Sequence, residues 1–138
     1  MDAFDSVLAS WDAEEYGIVG STEWIEEYVP WLWKTAVSYI NLDTAVLGPI
    51  PELDGTPELW DLGVESFKKV TYPFGGNASL LDAWEAAYDG VEHPDRFAVL
   101  GGGSDFTGFV QNGIGAVSSA ASPITTAFAR ASIDFCAH

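Results

Sequence analysis

The order of segments between Asp5 and Leu42 restricts the fold more than any other stretch of this chain. Residues 5–11 are apolar and partly alternating, which predicts a short strand. Asp12-Ala-Glu-Glu-Tyr-Gly17 follows as a polar turn. Gly20-Ser21-Thr22 is a helix start signal, with Glu23 in the first turn to complement the helix dipole. Trp24, Ile25, Tyr28, Trp31 and Leu32 then recur at three-to-four spacing and give that helix one apolar face. Pro30 is expected to kink the helix or to start a second turn. Residues 36–42 form a largely apolar run of the kind buried in parallel sheets. Strand, helix and strand make a βαβ unit, whose crossover is right-handed and whose strands are parallel. The expected class is therefore α/β. Ligands of open α/β sheets bind beyond the carboxyl ends of the strands. Neighbouring strands would thus bring Glu14, Glu15 and Asp43 to one edge.

The remaining pattern is less regular. Residues 48–51, Gly-Pro-Ile-Pro, read as a loop. Helices are expected over 57–70 and 79–88. A short strand over 97–100 ends in Gly101-Gly102-Gly103-Ser104, a helix opens within 105–110, and a small strand is expected over 115–119. No repeat and no domain boundary is visible, and 138 residues make one domain. Beyond Ala120 the chain is rich in Ala, Ser and Thr, and no element is assigned there.

Charge narrows the function. Acidic residues number 21 against 5 basic ones, a net charge of -16. A nucleic-acid binder neutralises phosphates with Lys and Arg, so nucleic acid is excluded as a partner, and an anionic membrane surface is disfavoured. Acidic excess suits metal cations, basic partners or solubility. Cys136 is the only cysteine, which excludes an intrachain disulfide and a cysteine-based metal cluster. The first residues are acidic where a secretory signal would be basic. The uncharged tract over 106–129 is too rich in Gly, Ser, Thr and amides to span a bilayer, and a soluble chain is expected.

The chemistry concentrates in Trp11-Asp-Ala-Glu-Glu-Tyr-Gly17. Two adjacent glutamates alone also describe a solvated acidic turn. A functional pair would divide the labour, one carboxylate ligating a metal while the other serves as a general base on water. Asp43, after an apolar strand, would add a ligand; as a bland residue it is a turn or cap.

The longer string decides between these. Ala9-Ser-Trp-Asp-Ala-Glu-Glu-Tyr-Gly-Ile-Val-Gly-Ser-Thr-Glu-Trp24 resembles the catalytic segment of the glutamate carboxypeptidase II and transferrin receptor family, over about sixteen consecutive positions. Tyr39-Ile-Asn-Leu-Asp43 looks like that family's second metal-ligand strand. Leu100-Gly-Gly-Gly-Ser-Asp-Phe106, followed by Phe109 and Gln111, looks like its glycine-rich substrate loop. The resemblance covers residues 7–118. It implies a three-layer α/β/α sandwich of the zinc exopeptidase type, present only in part, and hydrolysis of C-terminal peptide bonds with two zinc ions roughly 3.5–4 Å apart. Glu14 matches the general base that deprotonates the zinc-bound water and passes the proton to the leaving amine. Glu15 matches a ligand of one zinc and Asp43 a ligand of the other. Gly103, Ser104 and Asp105 match the loop lining the substrate cleft. Glu23 and Glu26, three apart on one helix face, match ligands of a structural calcium; calcium takes six to eight oxygens, so they are a partial site. The implied partner is a peptide substrate. The family also implies a homodimer whose interface lies outside this chain, and a membrane-anchored protein with a lumenal, vacuolar or extracellular catalytic domain.

Departures from the family matter equally. The family's site also needs a histidine and a bridging aspartate from a preceding segment, and neither is found before the Glu14 motif. Its last ligand is a histidine in a Tyr-His-Ser context. His138 lies at about the right distance but in Ile133-Asp-Phe-Cys-Ala-His138, without the tyrosine or serine. His93 reads as a surface loop residue. The arginines that hold an acidic substrate side chain in glutamate-specific relatives are absent, and Ser118 and Ser119 lie near where they would fall. Each zinc would keep one ligand here instead of three, so weak zinc binding and little hydrolysis are expected of the isolated chain. The rival reading is a non-catalytic binding or sorting relative, as on the transferrin receptor branch. Retention of Glu14 and Glu15 beside Asp43 argues for descent from an active enzyme. A third reading is an acidic calcium-binding or structural domain. Asn77-Ala78-Ser79 is an N-glycosylation sequon, or a chance tripeptide. A partial sheet would leave open edges and uncovered apolar faces, and association of the isolated chain is expected.

Overall fold

A computed structural model describes residues 5–88 and 98–122; His93, His138 and the tail beyond Ser122 lie outside it. The described elements are α1 (Val19–Thr35), β1 (Tyr39–Asn41), β2 (Ile50–Gly55), α2 (Trp60–Lys69), α3 (Leu80–Ala87), β3 (Ala98–Val99), α4 (Phe106–Gln111) and β4 (Ala116–Ser122). The α/β class is met. The described strands form one mixed sheet in the order β1-β4-β2-β3. The β1–β4 and β2–β3 pairs are parallel, and β2–β4 is antiparallel.

Register fixes the two faces, because successive strand residues point to opposite sides. Ile40 lies opposite Val117, and Gly55 also pairs Val117, so Ile40, Val117 and Leu53 share one face. Helices α2 and α3 cover the Leu53 part of it. Val64 and Phe67 from α2 join Leu81 and Trp84 from α3 and Tyr88 in a core around Leu53. Each such burial is worth about 1.5–3 kcal/mol. The opposite face carries Tyr39 and Asn41, and here α1 and α4 pack through Ile25, Leu32, Phe109 and Ile114. Tyr39 stacks flat on Phe109 at 4.1 Å, and the Trp11 indole nitrogen donates to the Tyr39 hydroxyl at 3.1 Å. Ala116, the first residue of β4, is fully enclosed, and Thr56 clasps it by accepting from its amide and donating to its carbonyl.

Helix α3 starts as its sequence predicts. Ser79 accepts from the Asp82 amide while the Asp82 carboxylate accepts from the Ser79 amide, a capping box that satisfies two otherwise orphaned donors. The Ser79 hydroxyl of the sequon is thereby engaged, whereas Asn77 is exposed.

Several expectations are corrected. Residues 5–11 form no strand: they are irregular, with Val7 and Leu8 exposed, because an extended segment becomes a strand only where a neighbour offers a ladder. The βαβ unit is therefore not formed, and β1 takes its parallel partner from β4. Helix α1 begins at Val19, with Ile18 rather than Gly20, Ser21 or Thr22 at its cap. The Ser21 side chain is used elsewhere. Pro30 lies inside α1, which continues through it to Thr35, so no second element starts there. The loop expected over 48–51 gives way at Ile50 to β2, since its prolines precede and occupy a strand whose other residues pair with β4.

Strand β1 is left open on one side among the described residues, and Val37, Ile40 and Leu42 around it are exposed, Ile40 by 66%. Unpaired edges with apolar side chains template association. Lysines at Val37 and Ile40 (Val37→Lys, Ile40→Lys) are expected to raise the concentration at which the chain remains monomeric, read by size-exclusion chromatography with light scattering. Unchanged association would show that another surface drives it.

Candidate active site

The acidic motif is held in an unusual backbone. Glu14–Tyr16 form a single 3₁₀ turn bracketed by Ala13 (φ 57°) and Ile18 (φ 61°), both left-handed. That region is uncommon for any side-chain-bearing residue and an outlier for a β-branched one such as Ile18. Such positions cost of order 1–3 kcal/mol each and persist where the surroundings over-determine them. The surroundings here are identifiable. The Gly20 amide donates to the Asp12 carbonyl at 3.1 Å, and the Val19 amide donates to Ala13. A β-carbon on Gly20 would collide with the Asp12 backbone, so only glycine lets the first turn of α1 sit against the motif. Trp11 then fastens the other end of the motif by packing on Trp24 and Phe109.

Asp43 follows β1 by one residue beyond Leu42, at the strand's carboxyl end. The glycine-rich loop meets it there. Gly103 adopts φ 142°, open to glycine and not to other residues, and its amide donates to Thr107 Oγ1 in α4. The next two residues tie the loop to both neighbouring elements. Ser104, 4% exposed, donates from its hydroxyl to Asp43 Oδ2 at 2.9 Å. Asp105 Oδ1 accepts from the Ser21 hydroxyl at 2.6 Å, and Ser21 is fully buried in the first turn of α1. Asn41, 2% exposed on β1, donates through Nδ2 to Ser104 Oγ at 3.1 Å and to Ser118 Oγ on β4 at 3.5 Å.

The electrostatics agree with this convergence. Partial burial raises the Glu14 carboxyl above its ordinary value, and the like charges of Glu15, Asp43 and Asp105 push it the same way. Acids from three separated stretches therefore bear on Glu14. The edge expected from a βαβ unit is reached by another route, through the α1 start, the end of β1 and the glycine loop.

The fit to a metal is partial. The oxygen donors suit a divalent ion in kind, but a zinc site takes at least three protein ligands. Among the described residues, no three His, Cys, Asp or Glu side chains are grouped closely enough to hold an ion. Glu23 and Glu26 stand exposed on α1.

Asn41 and Ser21 were not singled out by sequence reasoning as part of this site. An amide inside an apolar strand was a usable signal for Asn41. Ser21 was masked by its plausibility as a helix cap.

The raised Glu14 carboxyl gives a pH-dependent expectation. Folding lifts it above its unfolded value, so the native chain holds that proton more tightly and ionisation opposes folding. The penalty is complete above the folded pKa and fades as pH falls through it. Glu14→Gln is expected to raise Tm in metal-free buffer at pH 7. The difference from the parent should vanish below the ordinary carboxylate value. Equal Tm values at pH 7 would contradict a raised Glu14 carboxyl in the folded chain.

Comparison with known proteins accords with the motifs. The model for peptidase family M28 matches residues 5–132. A probable glutamate carboxypeptidase of Arthroderma benhamiae is 52% identical over 117 residues, covering 83% of this chain and 15% of that protein. A probable glutamate carboxypeptidase of Arabidopsis thaliana is 40% identical over 106 residues, 77% of this chain and 15% of its own length. The aminopeptidase NAALADL1 of Rattus norvegicus is 33% identical over 110 residues, 75% of this chain and 15% of its own length. The chain thus spans about 15% of the length of these relatives. Peptidases of this family are generally metal-dependent. With the acidic turn, the β1 aspartate and the glycine loop assembled at one site, and a family match across nearly its whole length, the chain belongs to peptidase family M28, in its glutamate carboxypeptidase II-like group.

Proposed function

We propose that this chain carries part of the catalytic centre of a zinc-dependent exopeptidase of the glutamate carboxypeptidase type. In the whole protein it would form part of a three-layer α/β/α sandwich that removes C-terminal residues from peptides. The observation that supports this best is the crowding of Glu14 by Glu15, Asp43 and Asp105 at one end of the sheet. A raised carboxyl is suited to work as a general base, because proton transfer is most efficient when the pKa approaches the working pH. Glu14 takes the proton from the attacking water and delivers it to the leaving amine. Glu15 and Asp43 would each hold one of two zinc ions, with the remaining ligands coming from residues other than those described. When bound, the zinc pair supplies Lewis acidity that polarises the peptide carbonyl and acidifies water. Gly103, Ser104 and Asp105 border the cleft that receives the peptide. Glu23 and Glu26 contribute to a structural calcium site. Homodimerisation and anchorage of the whole protein at a membrane, with the catalytic domain lumenal, vacuolar or extracellular, complete the reading. Among the described residues, no helix is long and apolar enough to cross a membrane.

Isothermal titration of the purified chain tests the metal roles. Zinc binding, weak in the isolated chain, is expected to fall further in Glu15→Ala and in Asp43→Ala. Identical isotherms for all three proteins would remove both residues from the metal site. Activity belongs to the full-length protein. There Glu14→Gln is expected to slow peptide hydrolysis by about 10²-fold or more while zinc is retained. Mass spectrometry of the products distinguishes release from the carboxyl end, as proposed, from release at the amino end, the activity in the name of the rat relative.

A further inference from the structure

Ser104 has one hydroxyl hydrogen and two lone pairs to place. Asn41 Nδ2 occupies a lone pair at 3.1 Å. The hydrogen is thereby turned away from Asn41 and is donated to Asp43 Oδ2 at 2.9 Å. Asn41 itself is buried, and its second amide hydrogen faces Ser118 Oγ on β4. The chain of donors therefore runs from the middle of the sheet outward, Asn41 to Ser104 to Asp43, and ends on one carboxylate oxygen. Asp43 is otherwise exposed, in a segment of bends and turns between β1 and β2. An exposed aspartate on such a segment samples several rotamers unless something holds it.

We propose that Asn41 and Ser104 are positioning residues that hold the Asp43 carboxylate in one orientation, and that the Ser104 hydroxyl is committed to Asp43 rather than to a peptide substrate. One oxygen, Oδ2, is the anchored one, and Oδ1 is the atom that would ligate if Asp43 holds a metal. Ser104 then borders the cleft through its backbone, and its side chain acts behind the site. Asn41 keeps the hydroxyl pointed outward. A threonine keeps the hydroxyl and fulfils the role; an alanine does not. This inference rests on the reading of Asp43 as a metal ligand only for its consequence, since the orientation exists without metal.

The test separates the two. Side-chain three-bond couplings of Asp43, measured by NMR on the metal-free chain, are expected to report one dominant χ1 rotamer. Ser104→Ala and Asn41→Ala should both shift them to averaged values, and Ser104→Thr should restore the parent pattern. Amide spectra of the same samples verify that each variant is folded. A dominant rotamer that persists in folded Ser104→Ala would overturn the inference, as would averaging already present in the parent. In zinc titrations Ser104→Ala is expected to lose roughly 10–100-fold in affinity and Ser104→Thr little. Glu15→Ala serves as the separating control: it should lower zinc binding while leaving the Asp43 couplings unchanged. A chain with fixed Asp43 couplings and no response of zinc binding to Glu15→Ala or Asp43→Ala would defeat the metal reading and sustain the positioning role.

Discussion

Like charges resist being gathered, and this fold gathers four of them at one sheet end. Burial and the like charges of Glu15, Asp43 and Asp105 raise the proton affinity of Glu14, and the Lys68–Glu65 ion pair lies away from them on the exposed face of α2. Neutral donors hold two of the acids in place instead. Ser104 serves Asp43, and the buried Ser21 serves Asp105. Hydrogen bonds to ionised groups are worth about 1.5–3 kcal/mol each, enough to fix a side chain without cancelling its charge. A lysine or arginine partner would neutralise the site. Hydroxyls and amides leave the negative field available to a cation, the expected complement of such a centre.

The backbone makes a matching investment. Ala13 and Ile18 are both left-handed around a three-residue acidic turn, and the contact of Gly20 with Asp12 keeps the turn from relaxing. The aromatic chain of Trp11, Trp24 and Tyr28 lies along α1 behind the turn. The strain thus sits where the candidate base sits, and the hydrophobic packing that offsets it begins a few residues away on either side.

The legible part of this molecule was the part determined locally. Helices α2 and α3 follow from apolar spacing and from the Ser79 and Asp82 cap, and the glycine loop from three consecutive glycines. Glu14, Glu15 and Asp43 were visible because their motifs are short and contiguous. Pairing partners were not legible. Residues 5–11 have the pattern of a strand and lack a ladder, whereas Ile50–Gly55 carries a proline and forms a strand because β4 pairs with it. Asn41 and Ser21 escaped notice for the same reason. Their roles depend on Ser104 and Asp105, which are 63 and 84 residues away along the chain.

The order β1-β4-β2-β3 also governs when this unit can assemble. The strand that joins β1 to β2 is the last of the four to leave the ribosome. Until residues 116–122 emerge, β1 and β2 share no neighbour, and β2 has only the two-residue pairing with β3. Contacts across such sequence separations form late, because loop closure must precede them. Asn41, on β1, likewise waits for Ser104 and Ser118. The acidic turn and α1 are synthesised before the described strands, and their site is completed only after the last of them. A nascent chain halted before Ala116 would hold every residue of the Glu14 motif and of the glycine loop, with no sheet to bring them to the same end.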